Sequence, residues 1–277
     1  MQAVQAFFLS AAGGQRLCLL HPPPAGHAVR GGVVYIHPFA EELNRSRRMA
    51  AQQARAFAQA GYAVLQIDLD GCGDSAGEFG EARWASWVAD GVLARQYLAD
   101  HLNCAPHALW LWGLRAGCLL AAAVAREDPD TPAKLLFWQP VLSGQQHLNQ
   151  FLRLKIATDL VKGNRGGGTA ELVQQLAAGQ VVEVGGYTVA PALAHGLALA
   201  DLEALSPASR VVCLEVSGSG GQSVSPALEA QLARWQAAGC QATGHAIEGP
   251  LFWQLAESEA CPALVAASLD AIRGAAA

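Results

Sequence analysis

A run of apolar residues at Leu109–Trp112 leads into Gly113-Leu114-Arg115-Ala116-Gly117, and an Ala-rich stretch then continues to Ala125. A buried strand, a glycine, a sharp turn, a second glycine and a helix together make a nucleophile elbow. That layout displays one side chain at a helix N-terminus, above the sheet, and the glycines let helix and strand pack closely. For acyl-transfer chemistry the displayed residue is a serine. Here it is Arg115. A guanidinium stays protonated at any working pH, so Arg115 cannot be a nucleophile. A fixed cation beside free backbone N–H groups instead suits a carboxylate, phosphate or sulfate. The alternative is an internal ion pair with Glu41 or Glu42, which would plug the site. Because a buried, unpaired guanidinium is costly, one anion or the other must sit nearby.

The elements around this turn alternate between apolar runs and helical runs, which predicts a mostly parallel sheet with helices on both faces. An opening strand pair is expected at Gln5–Leu9 and Gln15–Leu20, then strands at Gly32–His37 and Ala63–Asp68. Further strands follow at Ala108–Trp112, Lys134–Gln139, Arg210–Val216 and Gln241–Ile247. Helices are expected at Asn44–Ala60, Trp84–Leu102, Ala116–Ala125, Pro226–Ala238 and near Cys261–Ile272. Between about Ser143 and Leu205 the texture changes. The stretch holds a KGNRGGG linker at Lys162–Gly168 and a glycine pair at Gly185-Gly186, and it reads as helices without a clear buried strand. The expected organisation is a core of residues 1–144 and 206–277 with a cap of residues 145–205.

Asp68-Leu69-Asp70-Gly71-Cys72-Gly73-Asp74-Ser75 resembles the DxxGxGxS loop of α/β-hydrolases, and His37-Pro38-Phe39-Ala40-Glu41-Glu42 occupies the place of their oxyanion loop. With the elbow, these segments imply an α/β-hydrolase fold over essentially the whole chain. HPFAEELNRSRRM (His37–Met49), WGLRAG (Trp112–Gly117), GGYTVAP (Gly185–Pro191) and EGPLFWQ (Glu248–Gln254) are similar to the exosortase A system-associated hydrolase 2 family. That resemblance implies a Gram-negative exopolysaccharide setting, and it makes the elbow arginine part of a pattern. It also implies an anion pocket of Arg115, His37, Arg47 or Arg48, and the Pro38–Ala40 backbone. The expected ligand-binding set is Arg115, His37, Phe39, Glu41, Arg48, Trp138 and Trp253, with the two tryptophans and Phe252 at the pocket mouth.

A serine hydrolase also needs an imidazole and an orienting carboxylate. Neither Ser217–Gln222 nor Pro140–Ser143 offers an acid after the relevant strands, and Glu248–Gln254, after the last strand, holds no histidine. Ordinary Ser-His-Asp hydrolysis is therefore not expected. A displaced set could draw on His37, Glu41, Ser75 or His245, with Arg115 stabilising developing negative charge. Each has a plainer reading: Ser75 bonds its own turn, and His245 lies inside a strand. Cys118 packs one turn into the elbow helix, and His147 and His195 fall in the cap, where a substrate contact stays open. The function expected is binding of an anionic or acyl-bearing small molecule by a degenerate hydrolase; the alternative is an active ester or thioester hydrolase, or an acyltransferase, using non-standard residues.

Composition narrows the classes further. The chain has 277 residues, 52% hydrophobic and 15% charged, which excludes intrinsic disorder. A net charge of -5 without a basic stripe argues against nucleic acid. No run approaches the roughly 20 apolar residues of a membrane span, and the start lacks the basic region of a signal peptide. Seven widely spaced cysteines read as buried free thiols in a reducing cytoplasm rather than as disulfides or a zinc site. Gly71–Gly77 and Lys162–Thr169 miss the nucleotide-loop spacings, and Asp68, Asp70 and Asp74 lack the closing Glu of a calcium loop. No cofactor and no metal are expected; oligomeric state is not legible.

Overall fold

The structure is a computed structural model that describes residues 3–26, 28–161, 167–218, 223–257 and 259–274. An antiparallel hairpin opens the chain, β1 (Gln5–Ala11) with β2 (Gly14–His21). Then come β3 (Gly31–Ile36), α1 (Glu41–Gln59), β4 (Tyr62–Ile67), α2 (Trp84–Leu102), β5 (Trp110–Leu114), α3 (Ala116–Arg126) and β6 (Lys134–Trp138). After β6 the chain leaves the sheet to form α4 (Gly144–Val161), α5 (Thr169–Ala177), β7 (Val182–Val184), β8 (Tyr187–Val189) and α6 (Pro191–Leu199). It returns as β9 (Arg210–Ser217), α7 (Pro226–Ala237), β10 (Gln241–Glu248) and α8 (Pro262–Arg273).

Eight strands form one sheet in the order β1-β2-β4-β3-β5-β6-β9-β10. From β4 to β10 all neighbours are parallel, while β2 joins β4 antiparallel. Parallel strands buried on both faces read as near-continuous apolar runs, and β5 and β6 are of that kind. Strand alternation sends Trp110, Trp112, Leu136 and Trp138 into the layer under α1 and α8, with Met49, Phe57 and Leu264. Leu111, Leu135 and Phe137 point the other way, into the layer that α2, α3 and α7 cover.

Two expectations are corrected here. Helix α1 begins at Glu41 rather than Asn44, because Ala40, at φ 49, forms the break and Glu41 and Glu42 fill the first turn. Acidic side chains suit that end of a helix. The stretch between β6 and β9 is not purely helical: β7 and β8 pair antiparallel across Gly185 and Gly186, whose φ values of 57 and 87 fit a two-residue hairpin turn. Of the KGNRGGG linker, residues 162–166 lie outside the described residues. The seven cysteines are unpaired, and among the described residues no helix is long and apolar enough to cross a membrane.

Close packing around the elbow decides which glycines are needed. A Cβ on Gly117 would overlap the carbonyl oxygens of Ile36 and His37, and one on Gly113 would run into the backbone of Gly117 and Cys118. Backbone atoms cannot swing aside as side chains do. Gly117→Ala is therefore expected to destabilise the protein by about 1–3 kcal/mol, read as a lower midpoint in urea denaturation.

Candidate active site at the elbow

The chain passes from β5 into α3 through Arg115, which sits at φ 55 and ψ -120 as the residue before the helix. A non-glycine residue there carries strain on the order of 1–3 kcal/mol and needs surroundings that hold it. They do: the Arg115 N–H donates to the Trp138 carbonyl at 2.9 Å, and the Arg115 carbonyl accepts from Cys118 N–H at 3.0 Å. The elbow geometry is thus fully formed around an arginine.

The guanidinium meets an anion from the protein itself. Arg115 Nε donates to Glu42 Oε1 at 3.1 Å, with side-chain exposures of 16% and 13%. The ion-pair alternative read from the sequence is therefore present, and Glu42 rather than Glu41 makes it. The same cation lies 5.8 Å from the centre of the Trp253 ring. Yet the pair does not seal the site. Arg115 and Glu42 line an open cleft of about 320 Å³ with Phe39, Glu41 and Arg45 of the β3–α1 region, His147, Gln150, Phe151 and Leu154 of α4, and Trp253 and Gln254. Among the described residues lining this cleft there is no serine, threonine or cysteine.

Burial sets the electrostatics. It pushes the Glu42 carboxyl up, against the pull of Arg115. It takes the His147 imidazole down to about 3, with Arg115 adding to the effect. His147 is thus neutral, its ring edge-on to Phe39 at 6.0 Å. Cys118, fully buried inside α3, is held well above the ordinary thiol range by burial.

The remaining expected residues scatter. Phe39 and Glu41 reach the cleft with Arg115 and Trp253. His37 is buried and lines a separate cavity with Tyr35, Arg47 and Asp68. Its Nδ1 lies 2.8 Å from the Pro38 carbonyl and its Nε2 accepts from Leu69 N–H at 3.3 Å. Both nitrogens are used, and burial holds the ring neutral. Ser75 accepts from Leu17 N–H and donates to the Asp68 carbonyl, so it stitches its loop to β2. His245 lines a different groove, along β10 and α8 with Arg210 and Thr243. Trp138 is corrected: strand alternation turns it away from the mouth into the α8 layer, where its Nε1 donates to Ser268 Oγ at 2.8 Å. Arg48 is exposed on α1 and does not line the cleft; Arg45, one turn nearer the helix start, does, and its Nη1 donates to the Gln254 carbonyl at 3.3 Å. In the loop after β9, residues 219–222 lie outside the described residues, and Ser217 and Gly218 carry no acid.

Sequence reasoning missed Arg45 and Phe151. Both were signalled by helical spacing: Arg45 follows Glu41 and Glu42 at i+4 and i+3, and His147, Gln150, Phe151 and Leu154 share one face of α4. Among the described residues no cluster of three His, Cys, Asp or Glu is placed to hold a metal ion.

The sheet order, the strand–elbow–helix turn at Arg115 and the loops at the strand ends define an α/β-hydrolase fold. The profile of the Hydrolase_4 family, serine aminopeptidase S33, matches residues 27–213, and the chain belongs to that family. Est1E from Butyrivibrio proteoclasticus, solved with ferulic acid bound, is similar with a TM-score of 0.67 and 16% identity, over 97% of this chain and 98% of its own. The α/β hydrolase GrgF from Penicillium sp. sh18 is similar with a TM-score of 0.63 and 15% identity, over 99% of both chains. A highly thermostable carboxyl esterase from Bacillus coagulans, in complex with glycerol, reaches 0.58 and 13%, over 90% and 91%. At these identities the likeness concerns the fold. No curated protein matches the chain in sequence.

Removing one partner of the elbow pair leaves the other as an unmatched, mostly buried charge. Arg115→Leu is expected to cost roughly 1.5–3 kcal/mol, and the double variant Arg115→Leu/Glu42→Leu to recover most of it. A raised carboxyl means that the folded state binds the Glu42 proton more tightly than the unfolded chain does. Its contribution is then fully present at acid pH and is lost as pH rises through the folded-state value. Urea denaturation of wild type and Glu42→Gln should show the wild type's relative stability falling as pH rises above the ordinary carboxyl value of 4.5.

Proposed function

We propose that this protein is a degenerate α/β-hydrolase that binds a small anionic or acyl-bearing molecule at the Arg115 cleft and does not use Ser-His-Asp chemistry. The observation that carries the reading is the strained elbow position itself, held by Arg115 and opening on a cleft with no hydroxyl or thiol among its described lining residues. The motifs resembling the exosortase A system-associated hydrolase 2 family, His37–Met49 and Trp112–Gly117 above all, support placing it in that narrower group, with a cytoplasmic role near exopolysaccharide export. Residues 145–205 are read as a cap over the site, since α4 contributes His147 and Phe151 to the cleft wall.

The competing reading is an acyl hydrolase or acyltransferase with a relocated catalytic set, and the carboxyl esterase among the structural neighbours favours it. Against it, His147 is too weak a base near neutral pH for the proton transfer such a step needs. Intact-mass spectrometry after incubation with a fluorophosphonate probe, alongside a panel of activated esters, separates the two. The expected result is no stoichiometric adduct and no turnover. A single adduct mapped to one serine would overturn the proposal. Arg115→Ser, which supplies the missing hydroxyl, is expected to remain inert as well, because no histidine follows β10 to take its proton.

A further inference from the structure

Three buried polar atoms at this cleft have no partner: Glu42 Oε2, His147 Nδ1 and Trp253 Nε1. His147 and Trp253 are only 5% and 1% exposed, and both line the cleft with Glu42. Buried polar groups are normally satisfied, so three orphans on residues of one cleft call for a partner that the protein itself does not supply. Arg115 uses Nε on Glu42, and no protein hydrogen bond to its two terminal nitrogens is found among the described residues. The donors on offer are therefore the guanidinium fork and the indole N–H, a match for the oxygens of one carboxylate.

Charge decides which anion. The charged side chains that face Glu42 are Glu41 and Arg45 from its own helix and Arg115 at the start of α3; His147, from α4, is neutral. The four charged residues lining the cleft are two acids and two arginines, which sum to zero. An incoming anion beside the Glu42 carboxylate makes a like-charge pair, and two adjacent carboxylates hold a shared proton rather than ionise together. One negative charge is balanced by one proton; a phosphate dianion is not. Beyond the polar end the walls are Phe39, Phe151, Leu154 and Trp253. At roughly 30 Å³ for a water-sized group, the cleft holds a chain on the order of ten atoms.

We infer that the occupant of the cleft is a hydrophobic monocarboxylate and that Glu42 takes up one proton from solvent as it binds. The inference rests on the anion-site reading above. The bound state is a ligand carboxylate accepting from Arg115 and Trp253, with the new Glu42 O–H donating to it; no covalent bond forms or breaks.

Isothermal titration calorimetry with octanoate tests this, in two buffers of different protonation enthalpy near pH 6.5, with acetate and inorganic phosphate as comparison probes. The expected result is uptake of about one proton per octanoate, an affinity that rises up to tenfold per unit as pH falls from 8 to 6, and binding at least tenfold tighter than acetate or phosphate. Glu42→Gln should bind octanoate with little pH dependence and no proton uptake, and Arg115→Gln should not bind it; melting curves establish that both are folded. The wild-type buffer comparison stands without either variant. Octanoate binding without proton uptake overturns the inference. So does a preference for phosphate, or equal binding of acetate, though the anion site itself would survive. If none of the three probes binds, or if Arg115→Gln binds octanoate as well as wild type does, both this inference and the proposed function fall.

Discussion

A guanidinium placed at the elbow of this fold must be neutralised where it stands, and the Arg115–Glu42 pair does so across the carboxyl edge of the sheet. Strands β3 and β5 are parallel neighbours, but the helices that follow them take opposite faces: α1 lies on the layer it shares with α8, and α3 on the layer it shares with α2. Where helices leave adjacent strands for opposite faces, a crevice opens outside the strand ends. Glu42 stands in the first turn of α1 and Arg115 immediately before α3, so one 3.1 Å contact spans that crevice. The cleft beneath the inserted helix α4 is what remains of the crevice beside the pair.

The strain at Arg115 survives because the backbone around it leaves no other course. Gly117 lies against the Ile36 and His37 carbonyls, Gly113 against the next turn of α3, and the Arg115 N–H is tied to β6. These constraints act on the main chain and are indifferent to the side chain displayed. A position built to hold a residue upright above the sheet can therefore present a cation as readily as a hydroxyl. What changes is the chemistry available, from attack on a carbonyl to attraction of a negative charge.

Most of the sheet was legible because parallel strands buried on both faces write themselves as apolar runs, and the elbow because its two glycines flank the displayed residue. The need for an anion beside Arg115 was legible too, from the cost of burying charge, which left Glu41 and Glu42 as candidates. Choosing between them required the helix start. That start is set by Ala40 at a positive φ, a conformation its residue type does not announce. Trp138 was misplaced for a different reason: at the end of a strand, one residue decides the face. The β7–β8 hairpin escaped notice because strands of three residues are too short to show alternation.

The electrostatics of the cleft narrow what it can do. His147 is neutral throughout the physiological range because burial and the neighbouring cation both oppose its protonation. That leaves Glu42, among the cleft groups with a resolved shift, as the one whose burial moves its titration toward neutrality, and it is bonded to Arg115 through a single oxygen. The elbow position holds an arginine and the titrating group is its ion-pair partner, so the protonation state of Glu42 sets the net charge of the pair.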